Sequence, residues 1–188
     1  TNKLLGYQAE SGGFSFWSGG QPNPWLTAYA ALVLSRAQAA GLKIPATALH
    51  RAQGFLKQSL KGWEGATGSQ SMDNDTAALV VDVLATLKDP VHAAASRLFE
   101  LRQTLRAESK ALLLHALALN GSARDVKPLA DEMAALVHQS PSGAMVQLAA
   151  DQIGWLGSAT RTHALVLRAL VAAGTHNVLV EKLALGML

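Results

Sequence analysis

The sequence predicts an all-α fold built of helix hairpins, on three observations. Its apolar residues, 49% of 188, are mostly Ala, Leu and Val with only 5% aromatics, a composition that suits closely packed helices better than a β-sandwich. The apolar positions recur with a period near 3.6, and the segments so defined are separated by short polar turns carrying Asn-Pro, Asp-Pro and Gly. A chain of this length fits one domain, so residues 1–188 are read as a single helical domain with ample material for a core.

The elements follow in order. "GGFSFWSGGQPNPWLTAYAALVL", residues 12–34, runs from a glycine-and-aromatic loop straight into a helix, with Asn23 placed to cap, Pro24 at the first helical position and Gly41 as its stop. A second helix is expected from near Pro45 to Gly62, with Leu49, Ala52, Phe55, Leu56 and Leu60 on one face. After the polar stretch "GWEGATGSQSMDND", a third begins at Asp73 or Asp75 and contains "TAALVVDVLATLK". Asp89-Pro90 caps and starts a fourth; "SKALLLHALALNG" is a fifth, closed by Asn120-Gly121. In "ARDVKPLADEMAALVHQ" an internal proline is awkward, so the sixth helix is expected to begin near Lys127 with Pro128 in its first turn. "SPSG" and "DQIGWLG" read as loop, "SATRTHALVLRALVAAG" as a seventh helix, and Asn177 to Leu188 as a last one. The chain lacks an initiating Met, opens in mid-pattern and stops without a cap, which predicts a piece of something longer.

A Gly-aromatic loop precedes a Thr-Ala-Leu-Val helix three times: "GGFSFWSGG" before "LTAYAALVL", "GWEGATGSQSMDND" before "TAALVVDVL", and "IGWLGSATR" before "THALVLRAL". The helix that follows each is more charged and more amphipathic. Alternation of a buried with a half-exposed helix is what a two-layer ring or solenoid requires. The uneven spacing of Ala28, Ala77, Ala111 and Ala164 argues against a strict short-repeat array and for a partial α/α toroid with unequal loops.

Several function classes are excluded by composition. The net charge is only +3 and the 16 Lys and Arg residues are scattered, so nucleic acid is not an expected partner despite a pI of 9.4. The absence of cysteine removes disulfides, Cys-based zinc sites and thiol nucleophiles. No apolar run reaches bilayer length, so this segment is not expected to insert in a membrane, and "TNKLLGYQAE" is not a signal peptide. The six histidines form no i, i+4 pair and read as surface or helix-terminal, with no metal and no cofactor expected. No Gly-x-Ser-x-Gly turn marks a hydrolase.

"GGFSFWSGGQPNPWLTAYAALVLSRAQAAGLKIP" closely resembles the start of a helical hairpin in the thioester domain of bacterial alpha-2-macroglobulins, where a Gly-Gly-Phe-x-x-Trp loop precedes Trp-Leu-Thr-Ala-Tyr. "SATRTHALVLRALVAAGTHNVLVEKLALGML" is similar to a later part of that domain, with Arg161, Ala164 and Leu165 in a comparable Arg-x-x-Ala-Leu run. The resemblance implies an α/α toroid, shared with complement thioester domains and more distantly with terpenoid cyclases and prenyltransferase β subunits. It further implies a non-catalytic piece of a protease-trapping inhibitor. The parent would be periplasmic, with a lipoprotein anchor to a membrane as one option, and with other domains of its own chain and target proteases as partners. In the family a thioester joins the Cys and Gln of Cys-x-Glu-Gln, and bait-region cleavage exposes it to a nucleophile of the protease. This chain has neither the Cys nor a Glu-Gln pair; in the family they lie upstream of the Gly-Gly-Phe loop. Complement relatives that acylate hydroxyls carry a His in the loop corresponding to residues 62–75, where this chain has none, which implies direct attack by amines.

Gly12, Gly13, Phe14, Trp17, Trp25, Trp63 and Trp155 are expected to be structural: glycines allow a tight path, and each Trp packs between loop and inner helix with its indole N–H bonded to a loop carbonyl. "SMDNDTAAL" resembles the Asp-x-Asp-Asp-Thr-Ala stretch of class II terpene cyclases, but Asn74 stands at the protonating position, and helix capping by Asp73 or Asp75 is the favoured reading. The alternative to a macroglobulin piece is a toroid enzyme acting on a polysaccharide or isoprenoid, with Glu64 and Asp73 or Asp75 as weak acid candidates. A plain helical-repeat interaction module is the third reading.

Overall fold

The computed structural model describes residues 2–65, 72–149 and 157–187. In chain order the elements are α1 (Asn2–Leu5), α2 (Pro24–Ala39), α3 (Ala46–Gly65), α4 (Asn74–Thr86), α5 (His92–Glu100), a 3-10 turn (Arg102–Thr104), α6 (Ala107–Leu119), α7 (Ala123–Ala135), strands β1 (Val137–Ser140) and β2 (Gly143–Val146), α8 (Ala159–Ala173) and α9 (Asn177–Leu185). The fold is all-α, as the sequence predicts. It forms two compact units, Thr1–Ala94 and Ala95–Leu188, and α5 carries the chain from one into the other.

In the first unit each helix end is set by its own chemistry. Asn23 Oδ1 accepts the Leu26 N–H at 3.0 Å to start α2, and Asp73 Oδ1 accepts the Thr76 N–H at 2.6 Å to start α4. Between them α3 buries a single stripe, Ala48, Ala52, Leu56, Leu60 and Trp63, whereas every residue of α4 from Ala77 to Ala85 is buried. The two helices are joined at both ends. Trp63 Nε1 donates to Asn74 Oδ1 (3.1 Å) where α3 ends and α4 begins, and Lys57 meets Asp89 at 2.7 Å beyond the end of α4. Such pairing at opposite ends makes α3 and α4 antiparallel neighbours.

The second unit repeats the alternation. α6 buries Ala111 to Leu114 without a break, and α7 buries only Leu129, Ala130 and Met133. An ion pair of 2.8 Å between Glu108 and Arg161 joins the starts of α6 and α8, which therefore run side by side in the same direction while α7 returns. Glu132 of α7 is held by Arg102 (2.8 Å) and Lys110 (3.2 Å), and the Arg102 guanidinium also lies 4.3 Å from the centre of the Phe99 ring.

The structure departs from expectation at several places. "SPSG" is the tip of a β-hairpin, not part of a structureless loop: Val137 pairs with Val146 and Ser140 with Gly143, leaving Pro141-Ser142 as a two-residue turn. Pro128 lies inside α7, which begins at Ala123; the Asp125 and Val126 amides both bond the Ser122 carbonyl, so the helix is nucleated before the proline. α3 passes Gly62 to Gly65 because buried Trp63 anchors its last turn, and α5 starts at His92, two residues after Pro90. α8 was grouped by sequence with the buried helices, yet it buries only Thr162, His163, Val166, Ala169 and Leu170 on one face. His163 is 4% exposed, a core residue and not a surface one. Among the described residues no helix is long and apolar enough to cross a membrane.

Three helices end in the same left-handed turn. Gly41 after α2, Lys88 after α4 and Gly121 after α6 have φ of +88°, +59° and +72°, and in each the next amide reaches back five residues, as Asp89 N–H does to Leu84 O at 2.9 Å. Lys88 holds with a side chain the conformation its two counterparts hold without one. Lys88→Gly is expected to stabilise the protein by about 0.5–1 kcal/mol, read as a higher midpoint in urea; an unchanged or lower midpoint would show that Lys88 is not strained. Burial pushes the Glu132 carboxyl upward, but hydrogen bonds and charge from Arg102 and Lys110 outweigh it and hold it below the usual carboxylate range. Its contribution is therefore complete above the ordinary glutamate range and disappears as pH falls through the lowered folded value. Glu132→Gln should lower stability at neutral pH by about 1 kcal/mol and converge on the parent as pH falls below that lowered folded value, a difference measurable by urea titration as a function of pH.

Candidate functional site: the glycine and aromatic loop before α2

The chain folds residues 7–23 into a tight double-back against α2 and α3. Ala9 N–H bonds Gly13 O (2.8 Å), Gly12 N–H bonds Ala9 O (2.9 Å), and Gln8 and Phe14 form an isolated antiparallel bridge. Thr27, wholly buried in the second turn of α2, receives the Phe14 N–H on Oγ1 at 2.7 Å and donates its own proton to Asn23 O, also at 2.7 Å. From α3, Arg51 Nη2 donates to the carbonyls of Ala9 and Glu10 at 2.7 and 2.8 Å. Gln8 Nε2 bridges Gly12 O and Ala48 O.

Two glycines are obligatory for this path. Gly12 has φ +91° and sits so close to the Arg51 carbonyl that a methyl group would overlap it. At Gly13 a methyl would stand 2.6 Å from Pro22 and 2.8 Å from the Phe55 ring. Phe14 follows at 1% exposure and fills the space beneath the loop.

The tryptophans predicted to be alike are placed differently. Trp63 is buried and its N–H is bonded, to the Asn74 side-chain amide in place of a loop carbonyl. Trp25 is half-buried and rests on Tyr29 one turn on, ring centres 4.5 Å apart. Trp17 is 66% exposed beside Phe16 at 58%, its indole lying across Gly20, where a methyl would come within 2.7 Å of Nε1. Trp155 lies outside the described residues. Thus Phe14 is the aromatic that goes inward from the loop, and Phe16 and Trp17 form an outward tip.

The weak acid candidates lie where α3 ends and α4 begins. Asp73 spends Oδ1 on capping α4, Asp75 lies in the first turn of that helix, and Glu64 is half-buried in the last turn of α3; Glu64 and Asp75 each have a polar partner. Sequence reasoning missed Thr27, Gln8 and Arg51, which fix the loop. Thr27 could have been found as the one aliphatic hydroxyl in the largely apolar run "PWLTAYAALVL"; Arg51 looked like any surface cation.

The profile of the A-macroglobulin TED domain matches residues 1–72, the part that contains this loop, α2 and α3. No curated protein matches the chain. Among solved structures it is similar to trypsin-activated alpha-2-macroglobulin from Escherichia coli, with 23% identity and a TM-score of 0.73 over 97% of this chain and 12% of that one. It is similar to the Escherichia coli protein activated by porcine elastase (23% identity, TM-score 0.77, 99% of this chain and 17% of that one). It also resembles Salmonella alpha-2-macroglobulin reacted with methylamine, with 26% identity, a TM-score of 0.69 and coverage of 97% and 12%. The chain therefore spans about an eighth to a sixth of the length of these proteins.

If Gly12 is obligatory, Gly12→Ala should destabilise by more than about 2 kcal/mol, since left-handed strain adds to a backbone overlap. Gly19→Ala, with φ +74° but open space around it, should cost only about 1 kcal/mol. Equal losses in denaturant unfolding would mean that the close approach to Arg51 contributes nothing. The chain is thus similar to the A-macroglobulin TED domain over residues 1–72 and shares its fold with bacterial alpha-2-macroglobulins over nearly its whole length.

Proposed function

We propose that this chain is the non-catalytic scaffold portion of a bacterial alpha-2-macroglobulin-like protease trap, acting as one helical domain within a longer periplasmic parent. The observation that carries this reading is the agreement between the Gly12-Gly13-Phe14 loop, locked to Thr27 and Arg51, and the family profile over the same residues. The chemistry points the same way: the candidate carboxylate Asp73 is committed to a helix cap, and the chain has no cysteine to form a thioester. Its partners are other domains of the parent, for which the exposed Phe16 and Trp17 offer an apolar contact, and target proteases through the intact parent.

Where the parent carries Cys-x-Glu-Gln, thiolate is a better leaving group than amine, so a lysine of the protease attacks the acyl carbon directly. Without a histidine in residues 62–75 there is no acyl carrier to hand the group to a hydroxyl.

The test uses the full-length parent. A trap leaves a captured protease active on a small peptide substrate while blocking its action on a large protein substrate, and that split is the expected result. Loss of neither activity, or of both together, contradicts the proposal. Methylamine treatment then separates the two kinds of trap: a released thiol marks a covalent one, and none marks capture by conformational change alone.

A further inference from the structure

We propose that His163 is a proton-sensitive latch on the β1–β2 hairpin. Its imidazole is 4% exposed and sits where three elements of the second unit meet. Nδ1 accepts the Val146 N–H of β2 at 3.4 Å, and Nε2 lies 2.9 Å from the Leu183 carbonyl in the last turn of α9. Both partners are groups that regular structure leaves open. With Ser140–Gly143 closing a two-residue turn, Val146 falls at a position of the ladder where its amide faces away from β1. Leu183 O is one of the last carbonyls of α9, beyond the reach of intrahelical amides.

One neutral tautomer satisfies both. Nε2 must carry the proton to donate to a carbonyl, which leaves Nδ1 with the lone pair that Val146 needs. Protonation breaks this symmetry. The imidazolium has N–H on both nitrogens, so the bond to Leu183 O becomes charge-assisted and gains from the helix C-terminus, while Nδ1–H now opposes the Val146 N–H. Acidification therefore releases β2 and keeps α9.

Among the described residues, the charges on the surrounding elements do not compensate. β2 has no titratable side chain, and on α8 itself the positions one turn away, Ala159, Thr160, Val166 and Leu167, are uncharged. Glu108 of α6 is taken by Arg161, and His115 of that helix already has a partner. Glu132 and Asp131 of α7 are taken by Arg102 with Lys110 and by Lys127 with His176. On α9, Lys182 rests on Gln139 Oε1 of β1 and Glu181 is exposed. His138 of β1 is exposed as well.

The experiment follows amide protection in the 188-residue chain by NMR hydrogen exchange from about pH 8 to about pH 5, the range in which histidines change charge. The protection factor of Val146 should fall by about tenfold or more on acidification while that of Gly186, bonded to Lys182 O within α9, is kept. In His163→Gln the Val146 amide should show no such pH response. Protection that is flat with pH in the parent, or that falls for Val146 and Gly186 together, overturns the proposal. The parent alone supplies a second reading if the variant does not fold: imidazole nitrogen shifts must report the Nε2–H tautomer at neutral pH, and an Nδ1–H tautomer overturns the latch.

Discussion

The hydroxyl of Thr27 is the contact on which the first unit depends. A buried threonine in a helix ordinarily returns its proton to the carbonyl four residues back, and Thr27 does so with Asn23. Its lone pair then receives the Phe14 amide, and a buried amide without that acceptor would cost about 1–3 kcal/mol. Through one oxygen, the cap of α2, the first turn of that helix and the incoming loop are made a single rigid object. Arg51 and Gln8 extend it to α3: Arg51 donates from that helix to the Ala9 and Glu10 carbonyls, and Gln8 donates to Gly12 O in the loop and Ala48 O in the helix.

The same solution, backbone brought against backbone and a side chain supplied for the stray polar group, recurs in the second unit. Gly186 packs on the Ala144 carbonyl so closely that a methyl group could not be accommodated, and Gly143 faces Gly186 from the hairpin. His163 then serves the strand amide and helix carbonyl left over at that junction. Close approach of this kind gives up side-chain burial in exchange for position, which suits a scaffold better than a flexible binding surface. It also explains how a protein so poor in aromatics holds defined loops: the ordering is done by hydrogen bonds to buried backbone, with Phe14 as the single large plug.

Much of this was legible in the sequence because it is local. The caps Asn23 and Asp73 and the stops Gly41 and Gly121 are each decided by one or two residues, and the helices lie within a few positions of where their period puts them. The hairpin was missed because "VHQS" and "GAMV" are too short for a period of two to stand out beside Ser, Pro and Gly. Pro128 misled because its cost is offset by packing of Leu129 and Met133, which local rules do not include. Trp63 is fixed by a partner 11 residues away, Asn74, whereas Trp17 rests on nearby Gly20, a difference the shared Gly-Trp pattern does not reveal. Arg51 and His163 were invisible for the same reason: each acts on backbone distant in sequence.

The glycine and aromatic loop is a fixed part of the helical scaffold and not a mobile appendage. Hydrogen exchange of the Phe14 amide tests it most directly, because that amide lies in a loop and yet is bonded to a buried side chain. It is expected to exchange as slowly as the core amides of α4 and to become fast in Thr27→Val, which keeps the shape and removes the acceptor. Exchange at loop rates in the parent protein, or protection unaffected by the substitution, would contradict it.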